Sequence, residues 1–506
     1  MKHILIILAT CFINTIVLAQ KNHGINWVQG GLKTDKINFS NNPPTILPYK
    51  EPLYLVQGTS CISDSLGRLR LVCNGFSLLD STGNYIEGGD TITPTELCKF
   101  NDGFSGYSQS SLILPFKDDI YIAITGTASD SEFVRNWMAN NPYRPYSSYD
   151  MLLYTKVDMN MNNGMGKVVA RSVPIETDGL FQRTGMMACR HADGINWWLL
   201  KQGKNDNIIY KYLVTQDSVY KMGTQGFAQP KWGCCIDLKG QLMFNSQGTQ
   251  LAQVVYGSRK LFLANFDRCS GEISNPQIFD VPIYPIWDGG ILNLDTLLTG
   301  VCFSPNDSMV YVSSNCNIVQ LDLYDTESVS PWYRVANLDT TWDYFRYYCS
   351  LYNGPDGKIY IGNWNWAKAW SVIKEPNKKG GACDFRPKYI RFRGTHNPPT
   401  MPNYALGKDT TMPCTPLGEV TFMDQKDALL VYPNPAGKDI SIAYNFEGDD
   451  DAVFQLFDVL GRMQLQTTLP NNLNQIQLHL NSLQPGFYSY RVTSGKQQFY
   501  GKLLIK

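Results

Sequence analysis

Short runs in which apolar and polar positions alternate, each introduced by a turn rich in Asp, Asn and Gly, cover most of this chain. The turn-then-strand unit recurs as SDSLGRLRLVC from Ser63, PFKDDIYIAIT from Pro115, HADGINWWLLKQ from His191, DLKGQLMFNSQ from Asp237, SPNDSMVYVSS from Ser304 and GPDGKIYIGN from Gly354. A period of two sends successive side chains to opposite faces of a strand, and Asp, Asn and Gly supply the turns between strands. Further strands follow, as in DMLLYTKVDM from Asp150, NIIYKYLVT from Asn207, KLFLANFD from Lys260, NIVQLDLYD from Asn317 and AWSVIKEP from Ala369. Such a unit is a sheet of about four strands with two apolar faces, and it buries both only by stacking on neighbours. The pattern predicts an all-β chain whose body, residues 20–408, is a β-propeller of six blades, with seven as the alternative. The segment INWVQGGLKTDKINFS from Ile25 is expected to close the ring as an outer strand of the last blade.

Periodicity is lost where Thr, Pro and Gly crowd together after Gly407, and residues 409–426 read as a linker. It returns in residues 427–506, through Ile440, Ile442 and Tyr444 and again through Phe487, Tyr488, Tyr490 and Val492, as a small antiparallel β-sandwich. The wording of this tail resembles the type A C-terminal sorting domain of the Bacteroidota type IX secretion system. The matching positions are Tyr432, Pro433, Asn434, Pro435 and Ala436, then the run Phe457–Arg462 (FDVLGR), then Leu483, Gly486, Tyr488 and Val492, and finally Gly501, Lys502, Leu503 and Leu504. The resemblance implies export through that system. It implies that Tyr432, Pro433, Asn434, Pro435, Gly461, Gly486, Tyr488 and Lys502 belong to a sorting signal. It also implies the secretion machinery and its sortase as partners, with a cut near the linker. GVCFSPNDSMVYVSSNCNIVQLDL, NGPDGKIYIGN and MPNYALG in turn resemble the WD-repeat-like propellers that precede such tails.

The N-terminus MKHILIILATCFINTIVLAQ, with Lys2, an apolar run from Ile4 to Leu18 and small Ala19, reads as a secretory signal peptide over residues 1–19. No later segment reaches the roughly 20 apolar residues of a membrane helix, so no transmembrane segment is expected in the mature chain. Composition adds a second exclusion. The 44 basic residues balance the 44 acidic ones without a long single-sign run, which argues against a nucleic-acid partner. Thirteen cysteines in an exported chain permit disulfides, and Cys61 with Cys73 and Cys302 with Cys316, on neighbouring predicted strands, are the pairs to test. The absence of any CxxC pair leaves a zinc cluster unsupported, and no metal or cofactor is expected.

Candidate chemistry is sparse. GxSxG, HExxH and a Gly-rich phosphate loop are missing, and nothing selects a catalytic residue. SDSLGRLRL resembles the aspartate box of sialidases but lacks its Trp; turn chemistry explains it better, with Asp64 bonding nearby N–H groups and Gly67 at positive φ. Two aromatic clusters remain. Trp137, Tyr143, Arg144 and Tyr146 fall in a long polar excursion from Ser129 to Asp150, suited to stacking on sugar rings or clamping a peptide. Trp342, Arg346, Trp364 and Trp366 are the members of a second cluster suited to the rim of the central channel, while alternation sends about half of that cluster inward as packing. The reading is a secreted or cell-surface propeller that binds a glycan or peptide, or adheres, without chemistry. The alternative is a surface polysaccharide hydrolase or lyase using channel carboxylates.

Overall fold

Each sheet of the body opens with a strand that is buried along most of its length, because both of its faces are covered by neighbouring sheets. Ser111–Pro115 and Leu298–Phe303 are buried at every position, which is why they read as near-continuous apolar runs. The last strands of the sheets face water: Val219–Gly226 and Ile273–Asp280 are largely exposed. The computed structural model describes residues 22–505 except 32, 51, 56–57, 104–106, 141–147, 205–206, 228–239, 256, 283, 285, 289–290, 294–296, 326–329, 338–347, 364–367, 395–396, 411–413, 415–428, 433, 435, 445, 447–450, 460, 472, 474, 481–482 and 496. The chain divides into two compact units, Met1–Pro413 and Cys414–Lys506.

The first unit is a β-propeller. Among the described residues seven antiparallel sheets of three or four strands follow one another, opening at Asn26–Gln29, Ser60–Ser63, Ser111–Pro115, Phe181–Arg190, Gly240–Phe244, Leu298–Phe303 and Tyr348–Asn353. In every one the strands are ordered as they occur in the chain, with the opening strand at an edge. Opening strands touch in succession, the first with the second, the second with the third, and the fourth through the seventh in turn. Between the third and fourth, Phe181 bridges Tyr149, and Trp197 Nε1 donates to the Pro115 carbonyl at 3.3 Å. The ring closes through aromatic packing: Trp27 of the first sheet lies 5.8 Å from both Tyr360 and Trp370 of the seventh.

The closure differs from the expected one. Asn26–Gln29 pairs with Thr34–Asn38, and that strand with Thr45–Tyr49, so the N-terminal segment builds the first sheet instead of completing the last. The turn reading holds: Asp64 Oδ1 accepts from the N–H groups of Leu66 and Arg68, both at 2.9 Å, and Gly67 sits at φ 80°.

Cys61, Cys73 and Cys302 are free, and all three are buried, as is Cys316. Cys61 lies opposite Val72 while Cys73 lies opposite Ser60, so the two thiols point to opposite faces of one sheet. Cys302 lies opposite Tyr311, whereas Cys316 lies past Ser314 at the far end of that strand, beyond the ~7 Å Cα separation a disulfide spans. The disulfide-bonded cysteines among the described residues are Cys269 and Cys414. Cys234 and Cys235 lie outside the described residues.

The second unit is the expected sandwich. One sheet orders Leu429–Tyr432, Asp439–Tyr444 and Gln475–His479; the other orders Met463–Leu469, Ala452–Phe457, Gly486–Ser494 and Gln497–Ile505. Ile440, Ile442, Phe454, Leu456, Val492 and Leu503 form its core.

Candidate functional site

A propeller's opening strands present one unpaired edge each to the central axis, and those N–H and C=O groups need partners. Here the chain itself supplies them. The Gln109 amide donates to the Leu242 carbonyl at 2.8 Å and accepts from the Leu242 N–H at 2.9 Å. Gln241 does the same for Leu351 at 2.7 and 3.0 Å, and also accepts from the Val301 N–H at 3.1 Å. Both glutamines are wholly buried, and Gln109 is held at φ 54°.

The stretch 397–409, which includes MPNYALG, is a strap across the same region. The Asn397 N–H donates to Gln29 Oε1 at 2.7 Å, the Thr400 N–H to the Thr59 carbonyl at 2.8 Å, and the Tyr404 hydroxyl to the Ile113 carbonyl at 2.8 Å. Asn403 donates to the Ser246 carbonyl at 2.9 Å, Arg268 donates to the Gly407 carbonyl, and the Asp409 N–H reaches the Ala192 carbonyl at 2.9 Å. A Cβ on Gly362 would stand 2.4 Å from Pro398, so glycine admits the strap against the seventh sheet. Thirteen residues that meet six sheets of the ring must cross its centre. Thr400, Met401, Tyr404 and Leu406 are buried there.

Three carboxylates of the propeller are held by cations. Asp35 pairs with Arg393 and Asp356 with Lys358, both at 2.5 Å, and Glu176 pairs with Lys221 at 2.5 Å. The Arg190 guanidinium stacks 3.8 Å from the Trp197 ring, and burial pulls it down to about 10. His23 Nδ1 lies 2.6 Å from the Ser63 carbonyl, so that nitrogen carries the proton. No group of three or more metal-ligating side chains occurs among the described residues.

The residues singled out for ligand binding are not brought together in the described part of the chain. Tyr143, Arg144, Tyr146, Trp342, Arg346, Trp364 and Trp366 lie outside it, and so does the Trp137 side chain. Tyr348 and Trp370, which follow members of the second cluster in the chain, are described and buried. The excursion after Ser129 is in part a helix, Asp130–Asn140, where a long loop was expected. Its signal was present in the sequence: Ser129 and Glu132 have capping-box spacing, and the Glu132 N–H donates to Ser129 Oγ at 3.2 Å. Phe133 of this helix packs 5.7 Å from Phe100 of the short helix Glu96–Phe100.

In the tail, Asn434 Nδ2 donates to the Lys502 carbonyl at 2.8 Å and Asn434 Oδ1 accepts from the Leu504 N–H at 3.0 Å. This ties the opening motif to the last strand. Gly461 takes φ 75° in an exposed hairpin turn, its N–H donating to the Asp458 carbonyl at 3.0 Å. Gly486 begins a strand opposite Ile505, and the Tyr488 hydroxyl donates to the Gln484 carbonyl at 2.8 Å. Pro433, Pro435 and the Tyr432 side chain lie outside the described residues.

Comparison with known proteins identifies the tail. Residues 430–506 match the secretion system C-terminal sorting domain, in agreement with the type IX resemblance read from the same positions. No curated protein matches the chain. Among solved structures, a candidate 6-phosphogluconolactonase of Bacteroides fragilis is 11% identical, covering 72% of this chain and 94% of its own, with a TM-score of 0.43. The periplasmic gluconolactonase of Pseudomonas aeruginosa is 9% identical over 74% of this chain and 97% of its own, TM-score 0.42. PorZ, a surface component of the type IX secretion system of Porphyromonas gingivalis, is 12% identical over 95% and 70%, TM-score 0.29. Superpositions this loose carry no weight for function, and the propeller rests on the strand order above. No helix of the described residues is long and apolar enough to cross a membrane.

Proposed function

We propose that the chain is a type IX export cargo of a Bacteroidota cell whose propeller works outside that cell as a non-catalytic binding or adhesion module for a glycan or peptide. In this reading residues 1–19 are removed as a signal peptide, 20–408 form the propeller, 409–426 the linker in which a sortase cuts, and 427–506 the sorting domain. Tyr432, Pro433, Asn434, Pro435, Gly461, Gly486, Tyr488 and Lys502 act in transport and leave with the tail. Binding falls to the aromatic and Arg residues of the connections, Trp137, Tyr143, Arg144 and Tyr146 on one side and Trp342, Arg346, Trp364 and Trp366 on the other.

The observation that carries the non-catalytic half is the filled axis. A channel hydrolase needs two converging carboxylates and room for a sugar between them. The strap and the Gln109 and Gln241 amides occupy that place instead. The experiment is to apply the purified chain lacking residues 427–506 to glycan and peptide arrays and to assay the bound ligand for turnover. Binding without turnover is expected, and cleavage of a bound polysaccharide would reverse the assignment in favour of the hydrolase or lyase.

A further inference from the structure

An antiparallel sheet with one face on a core ordinarily turns a polar face to water. The outer face of the four-stranded sheet in the tail does so at Gln455, Gln466, Thr468 and Gln498, but not along one lane. Pairing places Met463 opposite Phe457 and Phe487 opposite Leu504, with Phe457 and Phe487 diagonal neighbours. These four make an apolar lane across all four strands. Met463 is 55% and Phe487 65% exposed, and Val459, 77% exposed, extends the lane at the adjoining hairpin.

Beside the lane stands positive charge. Arg491 lies opposite Tyr500, and Ser489 opposite Lys502. The Arg491 guanidinium is held 5.5 Å from the Phe457 ring and donates to Gln455 Oε1 at 2.6 Å, so it is presented in a fixed position. None of the outward-facing positions of the four strands is Asp or Glu. Asp458 at the hairpin is already engaged by Arg462 and Gln464, both at 2.8 Å. A contiguous exposed apolar strip edged by one sign of charge marks an interaction surface and selects a partner of the opposite sign.

We infer that this face is where the tail docks, and that its occupant is a protein surface with an apolar groove edged by Asp or Glu. The inference rests on the reading of the tail as the export signal. The test uses the full chain in its native cells. Two double variants are compared, Phe487→Ser with Tyr500→Ser and Arg491→Glu with Lys502→Glu. Leu473→Ser, an exposed residue elsewhere in the tail, serves as control. Both double variants are expected to cut export about tenfold while the control exports like the parent. Arg491→Glu with Lys502→Glu removes no core contact and carries the test if the aromatic pair unfolds the tail. Unchanged export of the folded aromatic variant overturns the docking face. Loss with the aromatic pair alone overturns the acidic partner, as does pelleting of the parent chain, but not of the charge variant, with phosphatidylglycerol vesicles. Deleting residues 430–506 separates the two levels: export that survives it refutes the export reading itself.

Discussion

Gln109, in the segment that leads into the third sheet, completes with its side chain the free backbone edge of Leu242 on the fifth, at 2.8 and 2.9 Å. One side chain thus does for a sheet edge what a further strand would do, from the middle of the ring. Truncation to alanine leaves two buried backbone groups without partners, at about 1–3 kcal/mol each. Gln109→Ala is therefore expected to lower the stability of the propeller by roughly 2–6 kcal/mol, measured as a fall in its urea midpoint. A midpoint equal to that of the parent would show that water replaces the amide.

The strap is bonded to the propeller as far as Asp409, the first residue of the proposed linker. A chain ending at residue 410 keeps every strap bond from Asn397 to Asp409, whereas one ending at residue 396 loses them all. The longer chain is expected to melt cooperatively like the parent's propeller. The shorter should be destabilised by several kcal/mol, since half a dozen hydrogen bonds at about 1 kcal/mol and four buried side chains go with it. Thermal melts of the two chains check this.

His23 gives the propeller a pH dependence. Burial, with the Arg190 cation adding to it and the Ser63 bond opposing, holds His23 below its ordinary value of 6.5. A folded value below the unfolded one means that the unfolded chain binds the proton more readily. Stability is therefore full above about pH 6.5 and falls as the pH drops through the depressed folded value. His23→Gln is expected to melt at the same temperature at pH 5.5 and 7.5 to within its other titrations, with the parent showing the larger drop.

Thiol chemistry distinguishes the two kinds of cysteine. Burial pushes Cys61 and Cys302 up to about 12 and Cys73 up to about 11. None of the three should alkylate in the native protein at pH 8, and all should do so once it is unfolded without reductant. Peptide mass mapping should find Cys269 and Cys414 oxidised throughout. Native labelling of Cys61 or Cys73 would contradict their burial.

The sequence disclosed the strands and the tail because their signals are local. Alternation and Asp-Gly turns mark a strand within about ten residues, as at Asp64 and Gly67, and the sorting motifs are short words at fixed offsets. What it concealed depends on contacts distant in the chain. Gln109 meets Leu242 across 133 residues and Tyr404 meets Ile113 across 291, and neither Gln nor Tyr announces a plug. The Cys61–Cys73 and Cys302–Cys316 pairings failed on register, which strand prediction alone does not fix: a shift of one residue turns a side chain to the other face. The helix Asp130–Asn140 was hidden by the aromatic and Asn content around it, although its capping box was readable.

The most direct measurement is the location of the chain after deletion of residues 430–506 in its native cells. The predicted result is a folded propeller that stays inside the cell while the intact chain is recovered outside. Recovery of the deleted chain outside in the same amount would contradict the assignment of the tail as the address that the rest of the protein obeys.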